Sequence, residues 1–483
     1  MSSRMVRDVT PLIGKKFFIL LVGMLLVVLP NFVVPRVATL NPAIHSKILM
    51  LRWILGAMLV AAALASACFS HHRLLLGEVV LLAFVFANLI SAVTSSTPGF
   101  SLTDSWQIWC LPLVSLGIAR LKPTAHQRDG LVYLAVGGGG IAALYGLCVY
   151  LGYDVLRDLY PFAYSKGDAR NYIHSFLGNP EYFGGYMAPL SVLAFGYALS
   201  GWHSLWRRLA WLGLCTFFLL ALVLSGTRGA LLGALFGFVL ILLRVYRVQE
   251  PATRRRIMAG IGLLVVVTVA AVAVLSFPNP LNVRRMRLAQ RFVAAFDLAS
   301  DSVRERILFF ATASRIVKDH PLLGVGPGCF KLHFYPTVRL LVQEDERAGF
   351  KHFAETLQGR VAEHAHNDYL EFLSELGAVG FAAFAGVVAV LISRFRARRS
   401  GMIGSEEDLS ARYTWFQFTI FFGAIACLLL NALFSFPLHL PVRASLFWIL
   451  VGLFVSCDGE LDSTQGDDFG RQSRTLDAAA ENS

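Results

Sequence analysis

The stretch HAHNDYLEFLSELGAVG (364–380) holds the side chains in this chain best suited to chemistry. With Glu363 just before it, it gathers two histidines, an asparagine, four carboxylates and two closing glycines. Histidine is the side chain whose proton comes and goes near neutral pH, so proton transfer is the chemistry on offer. Helical spacing puts His366, Leu370, Leu373 and Gly377 on one stripe. Glu363 lies three residues before His366, and Asp368 four after His364. The segment reads as a helix near a membrane surface that feeds into an apolar run. The alternative is an amphipathic interfacial helix whose histidines are merely solvated. A paired-histidine metal site fits poorly. His364 and His366 are two apart, which does not place them on one helical face, and no third His or Cys follows at ligand spacing.

The elements that must position these groups are membrane spans. The chain has 483 residues, of which 56% are hydrophobic and only 15% charged, where a soluble domain carries about a quarter charged residues. Apolar runs recur, each long enough to cross about 30 Å of hydrocarbon. They do not alternate as barrel strands do. The expected fold is an all-α polytopic membrane protein of about 12 transmembrane helices. The spans fall near 17–35, 48–69, 74–94, 106–119, 131–151, 181–200, 209–225, 229–243, 257–277, 375–393, 413–434 and 441–457. Residues 1–277 would carry the first nine, 278–372 a large helical loop, and 373–457 the last three. A loop of that size is usually functional. The tail, 458–483, is polar and acidic and is expected to be disordered.

Net charge is +12. The basic residues cluster in alternate short loops: Arg120, Lys122 and Arg128; Arg207 and Arg208; Arg244, Arg247 and Arg254 to Arg256; Arg394, Arg396, Arg398 and Arg399. The loop at 94–105 has none. This is positive-inside topology rather than a nucleic-acid footprint. It puts both termini in the cytoplasm and the large loop outside. The first apolar run, after Lys15 and Lys16, lacks a small-x-small cleavage site and reads as a retained helix. The seven cysteines form no pair at metal spacing, and most lie inside apolar runs.

Four motifs together resemble a known family. His366-Asn367, nine intervening residues and Gly377-Ala378-Val379-Gly380 match a His-Asn…Gly-x-x-Gly signature. LSGTRGALLGA (224–234) is similar to a Ser-x-x-Arg-Gly element between two spans. GNPEYFGGYMAPL (178–190) resembles a Gly-Asn-Pro segment. RILFFATASRIVKDHPLLGVGPGCF (306–330) resembles an Arg-x-x-x-aromatic segment followed by Pro-Leu-x-Gly-x-Gly, with Phe310 where Trp is common. The pattern is that of the O-antigen ligase and O-antigen polymerase superfamily of bacterial membrane glycosyltransferases. It covers roughly residues 170–380 by motif and the rest by topology.

The resemblance implies an enzyme of the inner membrane with a periplasmic active site. It would move a glycan from an undecaprenyl-diphosphate carrier to an acceptor: lipid A-core, a growing glycan or a protein. The leaving diphosphate needs cations at head-group level. Arg228 is the first, although a snorkelling arginine is the alternative; Arg306 is the second, and Arg304, two residues away, competes with it. The other loop arginines, Arg284, Arg285, Arg287 and Arg291, read as solvated or near lipid head groups. The acceptor hydroxyl needs a base, and His366 is the choice. Asn367 would orient substrate or cap the helix, and Glu363 or Asp368 would orient an imidazole. His174 and Tyr182, which flank the supporting residue Asn179 and its Pro180, would line the lipid-phosphate cavity, with Gly377 and Gly380 completing the signature. Direct displacement would invert the anomeric carbon. No cofactor and no metal is expected, since the chain has no Asp-x-Asp clamp. The alternating Gly324, Gly326 and Gly328 read as a loop turn rather than a phosphate cradle, which needs a strand before it and a helix after it.

Ligation, polymerisation and protein glycosylation share these motifs, and the span count and loop position favour a ligase. From another class, a lipid-linked oligosaccharide transporter would place polar groups near the midplane and show a repeat between halves. The span centres here are nearly free of charge, and no such repeat is evident. A membrane scaffold would leave Arg228 and His366 unexplained.

Overall fold

The computed structural model describes residues 3–34, 42–65, 76–155, 173–200, 204–248, parts of 254–274, 301–344, 362–398 and 409–481. Among them there is no strand. The helices are α1 (Ser3–Asn31), α2 (Pro42–Leu64), α3 (Leu76–Thr94), α4 (Pro98–Asp104), α5 (Trp106–Leu121), α6 (Ala125–Leu151), α7 (Pro180–Ala198), α8 (Leu205–Ser225), α9 (Arg228–Val248), α10 (Asp301–Asp319), α11 (Phe330–Glu344), α12 (Asp368–Ala397), α13 (Leu409–Asn431) and α14 (Pro441–Glu481).

Nine helices among the described residues are long and apolar enough to cross a membrane. The protein is a polytopic α-helical membrane protein. The expected fourth span is the shorter α5, and the sixth is α7. The ninth, 257–277, falls partly outside the described residues, and Arg284, Arg285, Arg287 and Arg291 fall wholly outside them. Two helices of the large loop, α10 and α11, pack on each other and on the start of α12.

Helix α7 is the central post, buried throughout from Phe183 to Ala198. It packs on α8, α9 and α13, while α13 also packs on α9 and α14, and α12 leans on α3. Side chains begin α7 as well as bury it. Asn179 is in extended geometry and accepts from the Glu181 N–H at 2.8 Å, with Pro180 in the first turn.

The expectation of disorder from residue 458 is corrected. Helix α14 continues past that point, because its carboxylates reach buried arginines at the end of the bundle away from His366. Arg398 Nε bonds Asp458 Oδ1 at 2.9 Å. Arg128, fully buried, donates to Glu460 Oε2 and Gln417 Oε1, each at 2.7 Å. A buried guanidinium left unpaired is costly, so Asp458, Glu460 and Asp462 are tied into the bundle. Glu78, near one end of α3, is likewise paired with Arg120 at 2.6 Å.

Helix α12 is broken inside the apolar region. Gly377 has φ 63° and ψ −169°. A break in a span frees backbone groups that lipid cannot satisfy, and the Pro-Leu-x-Gly-x-Gly loop satisfies them. Val325 N donates to Ser374 O at 3.1 Å and Gly326 N to Glu375 O at 2.8 Å. In return, Ala378 N donates to Pro321 O at 2.8 Å and Val379 N to Leu322 O at 3.1 Å. Ser91 and Ser95 of the α3 end hold the same loop through the Leu323 and Val325 carbonyls. The alternating glycines thus serve a docking turn, in which the Val325 and Gly326 amides that a phosphate would need are already bonded. A Cβ at Gly377 would lie 2.3 Å from the carbonyl carbon and oxygen of Leu322. Gly377→Ala therefore meets backbone that cannot yield, on top of about 1–3 kcal/mol of conformational strain. We expect a lower thermal unfolding midpoint in detergent; a wild-type midpoint would contradict this account of the break.

Candidate functional site

His366 immediately precedes α12, with φ 56°, in the left-handed region that non-glycine residues rarely occupy. Asn367 caps the helix, its Oδ1 accepting from Tyr369 N at 3.0 Å and Leu370 N at 3.1 Å, while its Nδ2 donates to Leu433 O. That cap pins the residue before it. The His366 ring stacks on Phe309 of α10, with centroids 5.3 Å apart, and meets Phe436 edge-on at 4.9 Å. Its Nδ1 is buried without a hydrogen bond, 3.9 Å from Glu181 Oε1. The side chain is 29% exposed, and since Nδ1 is covered, the exposure falls on the other side of the ring.

Arg306, one turn before Phe309 on α10, is half-buried. Its charge acts on both His366 and Glu181. No hydrogen bond or ion pair engages it among the described residues. Arg304 is two residues earlier and so points about 200° away around the helix. Arg228 is exposed at the first residue of α9. The turn before it is tied to the start of α7, with Thr227 Oγ1 donating to Pro180 O at 3.2 Å. Arg228 therefore shares an end of the bundle with Glu181 and His366. Burial lowers the pKa of His366; Glu181 opposes this, while Arg306 and His364 add to it. The ring is thus a neutral base at pH 7.

Behind His366 lies a buried acidic cluster. Asp368, Glu371 and Glu375 follow one another at spacings of three and four on α12, and all are buried. His439, between α13 and α14, bonds Asp368 Oδ1 through Nδ1 at 2.5 Å. Its Nε2 is 3.4 Å from Glu375 Oε2 and 3.6 Å from Glu371 Oε1. Burial works against its charge, but Glu371, Asp368 and Glu375 outweigh burial and hold its pKa well above the usual value. His439 is an imidazolium. His364 is the opposite case: burial and the His439 charge push it down to about 3. Neutral His364 then donates from Nδ1 to Glu371 Oε1 at 2.6 Å. Glu371, Glu375 and His439 also have the spacing of a metal-ligand set, their ligand atoms all lying within 4.8 Å of one another. As an imidazolium, His439 fills that place with its own proton.

The structure corrects several expected roles. Asp368 does engage an imidazole, but that of His439 rather than His366, and its other oxygen takes the Leu438 amide. Glu363 is exposed and faces no imidazole through a hydrogen bond among the described residues. His174 bonds the Ser175 carbonyl and pairs with Asp154 at 3.8 Å, which makes it part of the wall under α6. Asn179 caps α7. Gly380 packs against Leu376 across the break. Asn367 is a cap, one of its two expected roles, and Tyr182 sits beside the site, edge-on to Phe436. Sequence reading missed Glu181, Glu371, Glu375, His439 and Arg443. Two signals were present: the acidic stripe 368, 371, 375 entering an apolar run, and His439 with Arg443 one turn apart at the mouth of the last span.

Removing the one cation in the acidic cluster should be costly. His439→Gln is expected to lose about 3–5 kcal/mol of stability, the usual penalty for orphaning buried charge. Because the folded-state pKa is raised, this contribution is complete below the unfolded value of about 6.5. It is lost as pH rises through the raised value. Thermal midpoints measured from pH 6 to 10 should show the wild-type advantage shrinking on the alkaline side; a gap independent of pH would contradict the imidazolium.

No curated protein matches the chain. The sequence model of the O-antigen ligase family matches residues 213–385, from α8 through the break in α12. That stretch contains Arg228, Arg306, the docking loop and His366; over it the chain is similar to the O-antigen ligase family, and the match supports the O-antigen ligase and polymerase superfamily for this membrane protein.

Proposed function

We propose that the protein transfers a glycan from an undecaprenyl-diphosphate carrier to an acceptor hydroxyl on the outer side of the inner membrane, as a ligase whose acceptor is lipid A-core. The observation that carries this reading is His366, neutral, with one ring nitrogen covered and the ring's other side open, near the cation Arg306, whose charge acts on it and which no hydrogen bond or ion pair engages among the described residues. The positive-inside pattern supports the outer placement.

In this mechanism His366 takes the proton of the acceptor hydroxyl. The oxygen attacks the anomeric carbon as the bond from that carbon to the diphosphate oxygen breaks. The electron pair leaves with the diphosphate, whose charge Arg306 and Arg228 receive. Guanidinium suits this role because its planar fork meets phosphate oxygens in pairs. A single displacement inverts the anomeric configuration and needs no covalent sugar intermediate. The arginines take the place of a metal, so transfer is expected to persist in EDTA.

Purified protein should be offered a short carrier-linked glycan with lipid A-core, a second carrier-linked unit or a pilin-like peptide. Product on lipid A-core supports the ligase, chain growth on the carrier would make it a polymerase, and labelled peptide a protein glycosyltransferase. His366→Ala should abolish transfer, by about 10²–10⁴-fold or more, while keeping the wild-type unfolding midpoint; full transfer would overturn the base. Arg306→Lys should lose about 10²–10³ in kcat, as for loss of a positioned charge-stabilising donor. Since burial lowers the His366 pKa, the acid limb of kcat/KM should fall below pH 6.5. A limb above that pH would point to another base.

A further inference from the structure

On the reading that His366 is the base, we propose that Glu181 and Arg443 are its positioning residues: Glu181 orients the imidazole through Nδ1, and Arg443 anchors Glu181 from within the bundle.

Three side chains from three separate elements bring unpartnered buried polar atoms to one place. They are Nδ1 of His366, Oε1 of Glu181, and Nε and Nη2 of Arg443. Buried polar groups without partners are rare, and buried charges rarer still, because desolvation is not compensated. Arg443 is only 1% exposed. Its one hydrogen bond among the described residues is a long one, from Nη1 to Ser435 Oγ at 3.4 Å. It crosses α7 at Gly185, where a Cβ would lie 2.2 Å from Nη1. Gly185 is one turn beyond Glu181, so the missing side chain admits the guanidinium to the acid's own helix. The charged and polar neighbours acting on Glu181 are His366, Ser435, Arg443 and Arg306. The guanidinium also lies over Tyr182 at 5.5 Å and Phe436 at 5.9 Å. Phe436 is the ring that His364 and His366 both contact.

The nearer candidates in sequence are already committed. Asp368 holds His439, and Glu371 holds His364 and the Ala365 amide. Glu181 is the acid facing the covered nitrogen of His366. The 3.9 Å separation is one small movement from a hydrogen bond, and such contacts often tighten only when substrate binds. With Nδ1–H donated to Glu181, the lone pair sits on the other ring nitrogen, and the carboxylate stabilises the imidazolium formed during transfer. This is the logic of a carboxylate behind a catalytic histidine. Arg443 is badly placed to hold the donor diphosphate, since it is enclosed and a carboxylate already lies beside it.

The test is steady-state transfer by the reconstituted full-length protein, with kcat and donor KM measured separately. The variants are His366→Ala, Glu181→Gln, Arg443→Lys, Arg443→Gln and the Glu181→Gln/Arg443→Gln pair. We expect Glu181→Gln and Arg443→Gln to lower kcat by about 10²–10⁴-fold, with donor KM unchanged. Arg443→Lys should restore part of the loss. The double variant, with both charges gone, should fold and be no slower than Glu181→Gln alone. If Arg443→Gln does not fold, the comparison of Glu181→Gln with the double variant carries the test. A wild-type rate for Glu181→Gln, additive losses in the pair, or a raised donor KM with kcat intact in Arg443→Gln would each overturn the proposal. An active His366→Ala would overturn the base itself. An inactive His366→Ala beside a fully active Glu181→Gln would remove only the positioning pair.

Discussion

A helix that breaks inside a membrane must find partners for the backbone groups it frees, and α12 breaks at Gly377. Everything at the candidate site depends on how that need is met. The loop from Pro321 to Gly326 exchanges four backbone hydrogen bonds with residues 374–379. The exchange fixes α10, which carries Arg306 and Phe309, against the start of α12, which carries His366. Two motifs that lie far apart in sequence are the two halves of one backbone junction.

The junction also explains the acidic cluster. Docking the loop beside α12 covers Glu375, whose Oε1 accepts from the Phe330 amide at 3.0 Å. Asp368 and Glu371 are covered by the turn between α13 and α14. Three carboxyl groups in so dry a place need compensation, and His439 supplies it as a cation. A cluster so balanced holds the lower side of the site rigid, because moving any one member strands the others. The strained backbone at His366 fits that pattern. Strain persists where the surroundings over-determine it, and functional sites are where it collects.

Buried ion pairs mark both ends of the bundle. At the end away from His366, Arg128 and Arg398 draw in Gln417, Asp458 and Glu460. At the His366 end, the cations Arg306 and Arg443 make no ion pair with an acid among the described residues. One end is electrostatically closed, and the other keeps charge in reserve for a ligand or for a base.

The sequence by itself determined the membrane class, the positions of most spans and the helix start at Asn367. These are local properties, set by runs of apolar residues and by side chains that reach amides two or three residues on. It also singled out His366, Arg228 and the alternative of Arg304 or Arg306, through motif order. It could not say which acid faces which histidine. Helical spacing reveals only neighbours three or four residues away, so Asp368 and Glu363 were the natural candidates to orient the ring. The tertiary structure turned Asp368 toward His439 and brought Glu181 across from another helix. It brought the Arg306 charge to act on His366 and Glu181, and it paired Asp458 and Glu460 at the start of the acidic tail with the distant Arg398 and Arg128. Those outcomes rest on contacts between residues many tens to hundreds of positions apart, which only the packing of α7, α10, α12 and α14 can decide.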